Sequence, residues 1–292
     1  MKSQSLRFLF VSALALAVAA PTSLAQRQLG GKAKGPVSKL YVAETEGETD
    51  VQNGDKIFSI RQSSAFDAPG TIIETKADSH NTLVYSNGTG LFVDEMTRLE
   101  IKRFSQEPFK AEPASQFTSA HEPSISQSDV LLSHGLVALC TSQLISGSAM
   151  LYHTPHASIN IRGGRLVIES TATETIVDLL EGDLTIRQGT RDVSGQILRP
   201  GERAIIRPAA GAGQEPTITI EPIPAKVQPR IEERTAKACN ARRSVTFESV
   251  AGNANDGNEI AGAGAGDIVA RPTVPQEPPT NIVVSPDRLP GT

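Results

Sequence analysis

Through the middle of the chain, apolar and polar residues alternate in short runs broken by glycine, asparagine, aspartate or proline. A repeat of two puts successive side chains on opposite faces of an extended backbone, so each run predicts a strand with one face toward a core. The runs begin with residues 39–43 (KLYVA), 56–60 (KIFSI, after a turn at Asn53-Gly54-Asp55) and 71–74 (TIIE). Residues 82–93 (TLVYSNGTGLFV) predict a hairpin, with Asn87-Gly88 supplying a turn that has positive φ at both central residues. In residues 98–104 (RLEIKRF) the apolar positions are Leu99 and Ile101, followed by a shifted Phe104.

Residues 107–128 carry Pro108, Pro113 and Pro123 with scattered serines and no period, which predicts a connection. Strands resume at 129–141 around Gly135, then at 143–153, and are densest from Ala157 to Arg207. There ASINI leads to a turn at Arg162-Gly163-Gly164-Arg165, and LVIES follows it. TIVDLL and DLTIRQ form a hairpin hinged at Glu181-Gly182-Asp183, with Leu184 and Ile186 inward and Thr185 and Arg187 outward. Turns roughly every 8–12 residues between short strands predict an all-β sandwich, barrel or solenoid. After Pro208 the pattern fades, leaving one extended piece at 217–220. A helix is predicted over residues 229–242. Pro229 sits at its start, Glu232 and Glu233 in its first turn and Arg242 and Arg243 at its end, with Ile231, Thr235, Ala238 and Cys239 on one side. From Ala251 the Gly-, Ala- and Pro-rich sequence has too little apolar surface to offset chain entropy and predicts a disordered tail.

The first residues alter the setting of this β body. Lys2 and Arg7 precede an apolar run from Phe8 to Ala20, then Pro21 and a Ser23-Leu24-Ala25 cleavage signature. About 13 residues is short of the roughly 20 that a membrane span needs. An uncleaved anchor is the alternative; the expectation is an exported protein, periplasmic or extracellular, with no transmembrane segment after cleavage. Removing Lys2 and Arg7 and no acid takes the formal charge from −4 to −6, which argues against nucleic acid as a partner. With no tryptophan, nine phenylalanines and three tyrosines, the core falls to valine, isoleucine and leucine. Cys140 and Cys239 are the two cysteines; export permits a disulfide between them, against the alternative of two unpaired buried thiols.

Candidate chemistry is sparse. His153-Thr154-Pro155-His156 has the H-x-x-H spacing, but Pro155 forbids a helix interior and a strand would turn the two rings to opposite faces, so no metal site is expected. Gly262, Gly264 and Gly266 follow no strong strand and open no helix, so no nucleotide cofactor is expected. Asn87-Gly88-Thr89 has the form of a glycosylation acceptor, which the turn already explains. No G-x-S-x-G or similar nucleophile motif occurs, and no catalytic residue is assigned.

Three pieces in order do carry a family likeness. Thr154-Pro155-x-Ala157 with Ile161-Arg162-Gly163 leads to Val177, Glu181-Gly182, Leu184 and Ile186, and then to Leu198, Gly201-Glu202 and Ala204. With the Asn87-Gly88-Thr89 hairpin and Met96 to Ile101 upstream, this resembles the FecR domain over about residues 39–208. The resemblance implies an extracytoplasmic β domain with no catalytic residues, in which Thr154, Pro155, Ala157, Arg162, Gly163, Glu181, Gly182, Gly201 and Glu202 are structural. FecR regulators add a cytoplasmic anti-sigma segment and a transmembrane helix, which this chain is not expected to have; the sequence also departs at Gly164, where the family often has threonine.

The expected organisation is a signal peptide (1–25), a flexible leader (26–38), a FecR-like β domain (39–208), a Pro-rich linker with a short helix (209–250) and a disordered tail (251–292). The β domain is expected to be an irregular β-sandwich or a solenoid-like stack of short antiparallel strands. The function expected first is a non-enzymatic envelope module that binds a protein or glycan. A periplasmic signal-relay component serving a separate anti-sigma system and an uncharacterised hydrolase are the alternatives.

Overall fold

The computed structural model describes residues 38–109, 120–188, 195–209, 217–249 and 268–272. In chain order these form β1 (Lys39–Glu46), β2 (Thr49–Asn53), β3 (Lys56–Ser59), β4 (Ala65–Asp67), β5 (Thr71–Thr75), β6 (His80–Tyr85), β7 (Gly90–Val93) and β8 (Arg98–Gln106). Then come β9 (Ser126–Thr141), β10 (Ala149–His153), β11 (Ser158–Ser170), β12 (Thr175–Arg187), β13 (Gln196–Leu198), β14 (Glu202–Arg207) and β15 (Thr217–Pro222). Helix α1 (Gln228–Arg243) and a separate ribbon of β16 (Val245–Ser249) and β17 (Ile268–Pro272) complete the described chain. The signal segment, residues 26–37 of the leader and the Gly262–Gly266 run lie outside the described residues.

Fifteen strands share one hydrogen-bonded sheet, and three of them run through two halves of it. In the first half β3, β2, β5 and β8 lead to the early part of β9. β10 then joins in parallel, followed by the early part of β11, the late part of β12, and β13. In the second half β4, β1, β6 and β7 lead to the late part of β9. The late part of β11, the early part of β12, β14 and β15 follow. One continuous core lies between the halves. Val51, Ile73, Leu99 and Ile101 come from the first half, and Leu40, Leu83, Leu91 and Leu139 from the second. Each is fully buried, worth roughly 1.5–3 kcal/mol of apolar transfer per side chain. The sheet is thus folded over into a sandwich, built mostly from antiparallel pairs.

The second half is covered on its outer face as well. Phe92, Leu136, Ala138 and Val167 pack there against Ile231 and Ala238 of α1. Strands buried on both faces lose their alternation, which is why GLFV in β7 and LVALCT in β9 are buried at every position. A disulfide joins Cys140 of β9 to Cys239 of α1 with Cα atoms 5.1 Å apart. An ion pair between Arg234 and Asp94 adds a second tie, and the Lys237 ammonium sits 5.1 Å above the Phe92 ring.

Several expectations need correction. Residues 162–165 are not a turn, and 181–183 do not hinge a hairpin: β11 and β12 each run on through these glycines and pair along their length. The reversal between them lies at Thr171–Glu174, where Thr171 N–H donates to the Glu174 carbonyl at 2.9 Å. The 82–93 hairpin forms, but positive φ occurs at Gly88 alone. Gly88 N–H donates to the Tyr85 carbonyl at 2.8 Å, giving a three-residue loop with a left-handed glycine rather than a two-residue turn. Helix α1 starts one residue early, at Gln228, so Glu232 and Glu233 fall outside the first turn, while Arg242 and Arg243 do close the last. The strand expected from 143 begins at Ala149. Ile268–Pro272, within the tail expected to be disordered, pairs with Val245–Ser249. The shift before Phe104 is a bulge between Ile101 and Arg103 that returns Phe104 to the core.

Candidate functional site

The strand pair β11–β12 passes from one half-sheet to the other at Gly163, Gly164 and Gly182, with Gly164 opposite Gly182 and Gly163 opposite Asp183 in register. The backbones there almost touch: a Cβ on Gly164 would lie 1.9 Å from the Glu181 carbonyl oxygen, and one on Gly182 1.9 Å from that of Gly163. Both glycines also have φ above +100°, a region that side chains strain to enter. The crossing is a sharp bend that only glycine permits, and it opens a cleft beside it.

This cleft has a volume of about 500 Å³. Thr141 and Ser142, at and just beyond the end of β9, lie on one side of it and Arg242 comes from the last turn of α1. Arg162, the bulged residue between Ile161 and Gly163, and Asp183 line it from the crossing strands. The cleft adjoins a second of about 490 Å³ that reaches the Cys140–Cys239 bridge and Arg243. Arg242 donates from Nη2 to the Ser142 hydroxyl. Burial, and then the neighbouring Arg243 guanidinium, lower the pKa of Arg242 from the ordinary arginine value. Arg165 is paired with Glu181 at 2.5 Å. Guanidinium and hydroxyl groups thus stand along the recess, with Arg242 and Arg165 each engaged within the chain.

Of the motif residues, Arg162, Gly163, Glu181 and Gly182 converge on this cleft, and the others build corners. The Thr154 hydroxyl accepts from Ala157 N–H at 3.0 Å and from the Thr175 hydroxyl at 2.9 Å, so Thr154, Pro155 and Ala157 fix the turn between β10 and β11. Gly201 N–H donates to the Leu179 carbonyl at 2.7 Å, and Glu202 accepts from Arg199 N–H at 2.9 Å, fixing the entry to β14. Next to that corner, Arg203 makes a two-point contact with Asp178 at 2.6 and 2.9 Å. His153 and His156 have separate partners, Ser158 at 2.9 Å and Thr175 at 3.0 Å. Among the described residues no group of three potential ligands is placed to hold a metal ion, and no helix is long and apolar enough to cross a membrane. Asn87 is 2% exposed, with its amide oxygen accepting from Thr89 N–H and its amide nitrogen donating to Ser126. Glycan attachment to the folded chain is therefore blocked.

Thr141, Ser142 and Arg242 escaped the sequence reading as a group, because about a hundred residues separate the two ends. The one signal that could have joined them is the cysteine pair, since Thr141 and Ser142 follow Cys140 and Arg242 lies one turn beyond Cys239.

A second surface feature lies on other elements. β3 pairs only with β2 among the described residues, and all four of its residues are exposed. Ile57 is 71% exposed, and the Phe58 ring meets Phe66 of β4 edge-on at 5.8 Å.

No protein-family model and no curated protein sequence matches the chain. In structure it is similar to two crystal structures, each described as "a putative anti-sigma factor" from Parabacteroides distasonis ATCC 8503, with TM-scores of 0.38 and sequence identities of 15% and 16%. The aligned part covers 54% of this chain and 62% of each of those. A likeness of this size carries neither fold nor activity across to this chain.

Proposed function

We propose that this chain is an exported, non-enzymatic, FecR-like module that works by contact, taking up an extended strand of an envelope protein at the outer edge of β3. The observation that carries this reading is the exposed β3 edge with Ile57 and Phe58 beside it. An edge strand offers a row of N–H and C=O groups to a partner strand, and apolar side chains next to it add anchorage. The strand is short and carries Lys56, features that discourage open-ended self-pairing. The signal-peptide pattern supports the location, and the FecR resemblance supports the class.

The test is capture from envelope extract with tagged mature protein and with an Ile57→Asn/Phe58→Asn variant that melts at the same temperature. Wild type is expected to recover a protein that the variant loses at least tenfold. Equal recovery by both, or none above background, contradicts the reading. A recovered outer-membrane receptor or membrane-bound anti-sigma protein would place the contact in signal relay.

A further inference from the structure

We propose that, in the absence of another strand, two copies of this chain pair at β3 about a two-fold axis beside Phe58, each covering the other's edge. The inference rests on the reading of β3 as a pairing edge and adds its regulation: a partner strand and the second copy compete for the same backbone groups.

The register of β2 and β3 fixes which groups are on offer. Ile60 N–H donates to the Thr49 carbonyl at 3.3 Å, and antiparallel pairs alternate between hydrogen-bonded and non-bonded. Val51–Phe58 is therefore a bonded pair, whereas Asp50–Ser59 and Gln52–Ile57 are not. Ile57 and Ser59 turn their N–H and C=O away from β2. An axis beside Phe58 sets Ile57 of each copy opposite the other's Ser59, and each such pair exchanges both of its N–H···O bonds. The Lys56 side chains then fall at opposite ends of the ribbon, so like charges do not meet.

The side chains fit a second copy. Phe58 lies opposite fully buried Val51, so it faces the core side, where its ring meets Phe66 of β4. β4 pairs only with β1 among the described residues, so both half-sheets end on this side of the sandwich. Residues 60–64 bridge the two ends: Val42 N–H donates to the Ser64 carbonyl at 2.9 Å, and Ser63 N–H to the Val42 carbonyl at 2.8 Å. Phe58 is still 38% exposed there. The two-fold brings Phe58 and Phe66 of both copies into one aromatic cluster that completes this end of the core. A lone strand has no second layer to set beside β4. On the outer face Ile57, 71% exposed, gains the second copy's Ser59 as its direct neighbour and its Ile57 on the diagonal. The arrangement also closes, using each edge once, so it is not the open-ended pairing that a short strand with Lys56 resists.

A contact built on one short strand is small, so sedimentation equilibrium of the purified, disulfide-intact chain should show a monomer–dimer equilibrium with its midpoint at roughly 10 µM to 1 mM. Ser59→Pro removes an outward N–H and no bond to β2, a change that an edge strand tolerates. It is expected to weaken dimerisation at least tenfold. Ile57→Pro, at the other outward position, is expected to do the same and serves if Ser59→Pro does not fold. Ile197→Asn, at an isoleucine 68% exposed on β13, is expected to leave the equilibrium unchanged. A chain that stays monomeric up to about 1 mM overturns the proposal. So do oligomers that grow beyond the dimer with concentration, or a dimer unaffected by either proline in a chain that melts like wild type. The measurement uses the pure protein alone, so a missing dimer is distinguishable from a failed capture out of envelope extract.

Discussion

Tyr85 and Tyr152 lie inside the sandwich at 2% and 1% exposure, and the Tyr85 ring packs on Phe104 with centroids 4.9 Å apart. Burial pushes both phenols well above their ordinary value of 10, because a phenolate there would be stripped of water. The folded state therefore holds these protons more tightly than the unfolded chain. The stabilisation tied to them is complete below about pH 10 and is lost as pH rises above it, at up to ~1.4 kcal/mol per pH unit for each group. Urea unfolding between pH 8 and 11.5 should show a steep alkaline fall in stability that is much flatter in a Tyr85→Phe/Tyr152→Phe variant. Equal slopes would mean that the phenols are not what the interior resists charging. These residues were legible in the sequence only as members of strands. That both would be buried follows from the two halves of the sheet closing on each other, which no local pattern states.

At the scale of elements, the bend in β11 and β12 is the feature on which the sandwich turns. Gly182→Ala adds a Cβ 1.9 Å from the Gly163 oxygen at a backbone φ of 105°, and should cost at least about 2 kcal/mol in urea unfolding. Gly54→Ala is the control: it shares a positive φ but meets nothing within 4 Å, so it should cost roughly 1 kcal/mol. Equal costs would show that the crossing is looser than described. The same glycines explain where sequence reading succeeded and failed. Period-two runs located most strands, and Pro229 with Arg242 and Arg243 located the helix to within a residue or so at each end. Glycine in a strand pattern, however, signals positive φ without saying whether the chain reverses or bends and continues. At Asn87-Gly88 it reverses; at Arg162-Gly163-Gly164 and Glu181-Gly182 it continues, because each segment has the other as its partner. The ribbon strand at Ile268–Pro272 was missed for a related reason, since its pairing partner, Val245–Ser249, lies well upstream in the sequence. Half of the cleft was visible as motif letters around the crossing, and the other half arrives from β9 and α1 through tertiary packing.

For the molecule as a whole, α1 and the sheet are held together by apolar burial and one covalent bond across a separation of 99 residues. In the chain-entropy account, closing a loop of that size is worth about 4–5 kcal/mol. A Cys140→Ala/Cys239→Ala variant should lose stability on that order in urea unfolding. A loss under ~1 kcal/mol would mean that packing and the Arg234–Asp94 pair hold the helix without the bond. The proposed export would have a physical consequence, because such a bond forms and persists mainly in an oxidising compartment. The central proposal is that this clamped, folded-over sheet takes up a partner strand outside the cytoplasm at the β3 edge, which is unpaired among the described residues. The most direct measurement of it places a photo-crosslinking amino acid at Ile57 in living cells, with a second at exposed Thr171 on the β11–β12 turn as control. The account predicts a discrete protein adduct from position 57 in the envelope or periplasmic fraction and none from position 171. No adduct at 57, or one found only in the cytosol, would contradict it.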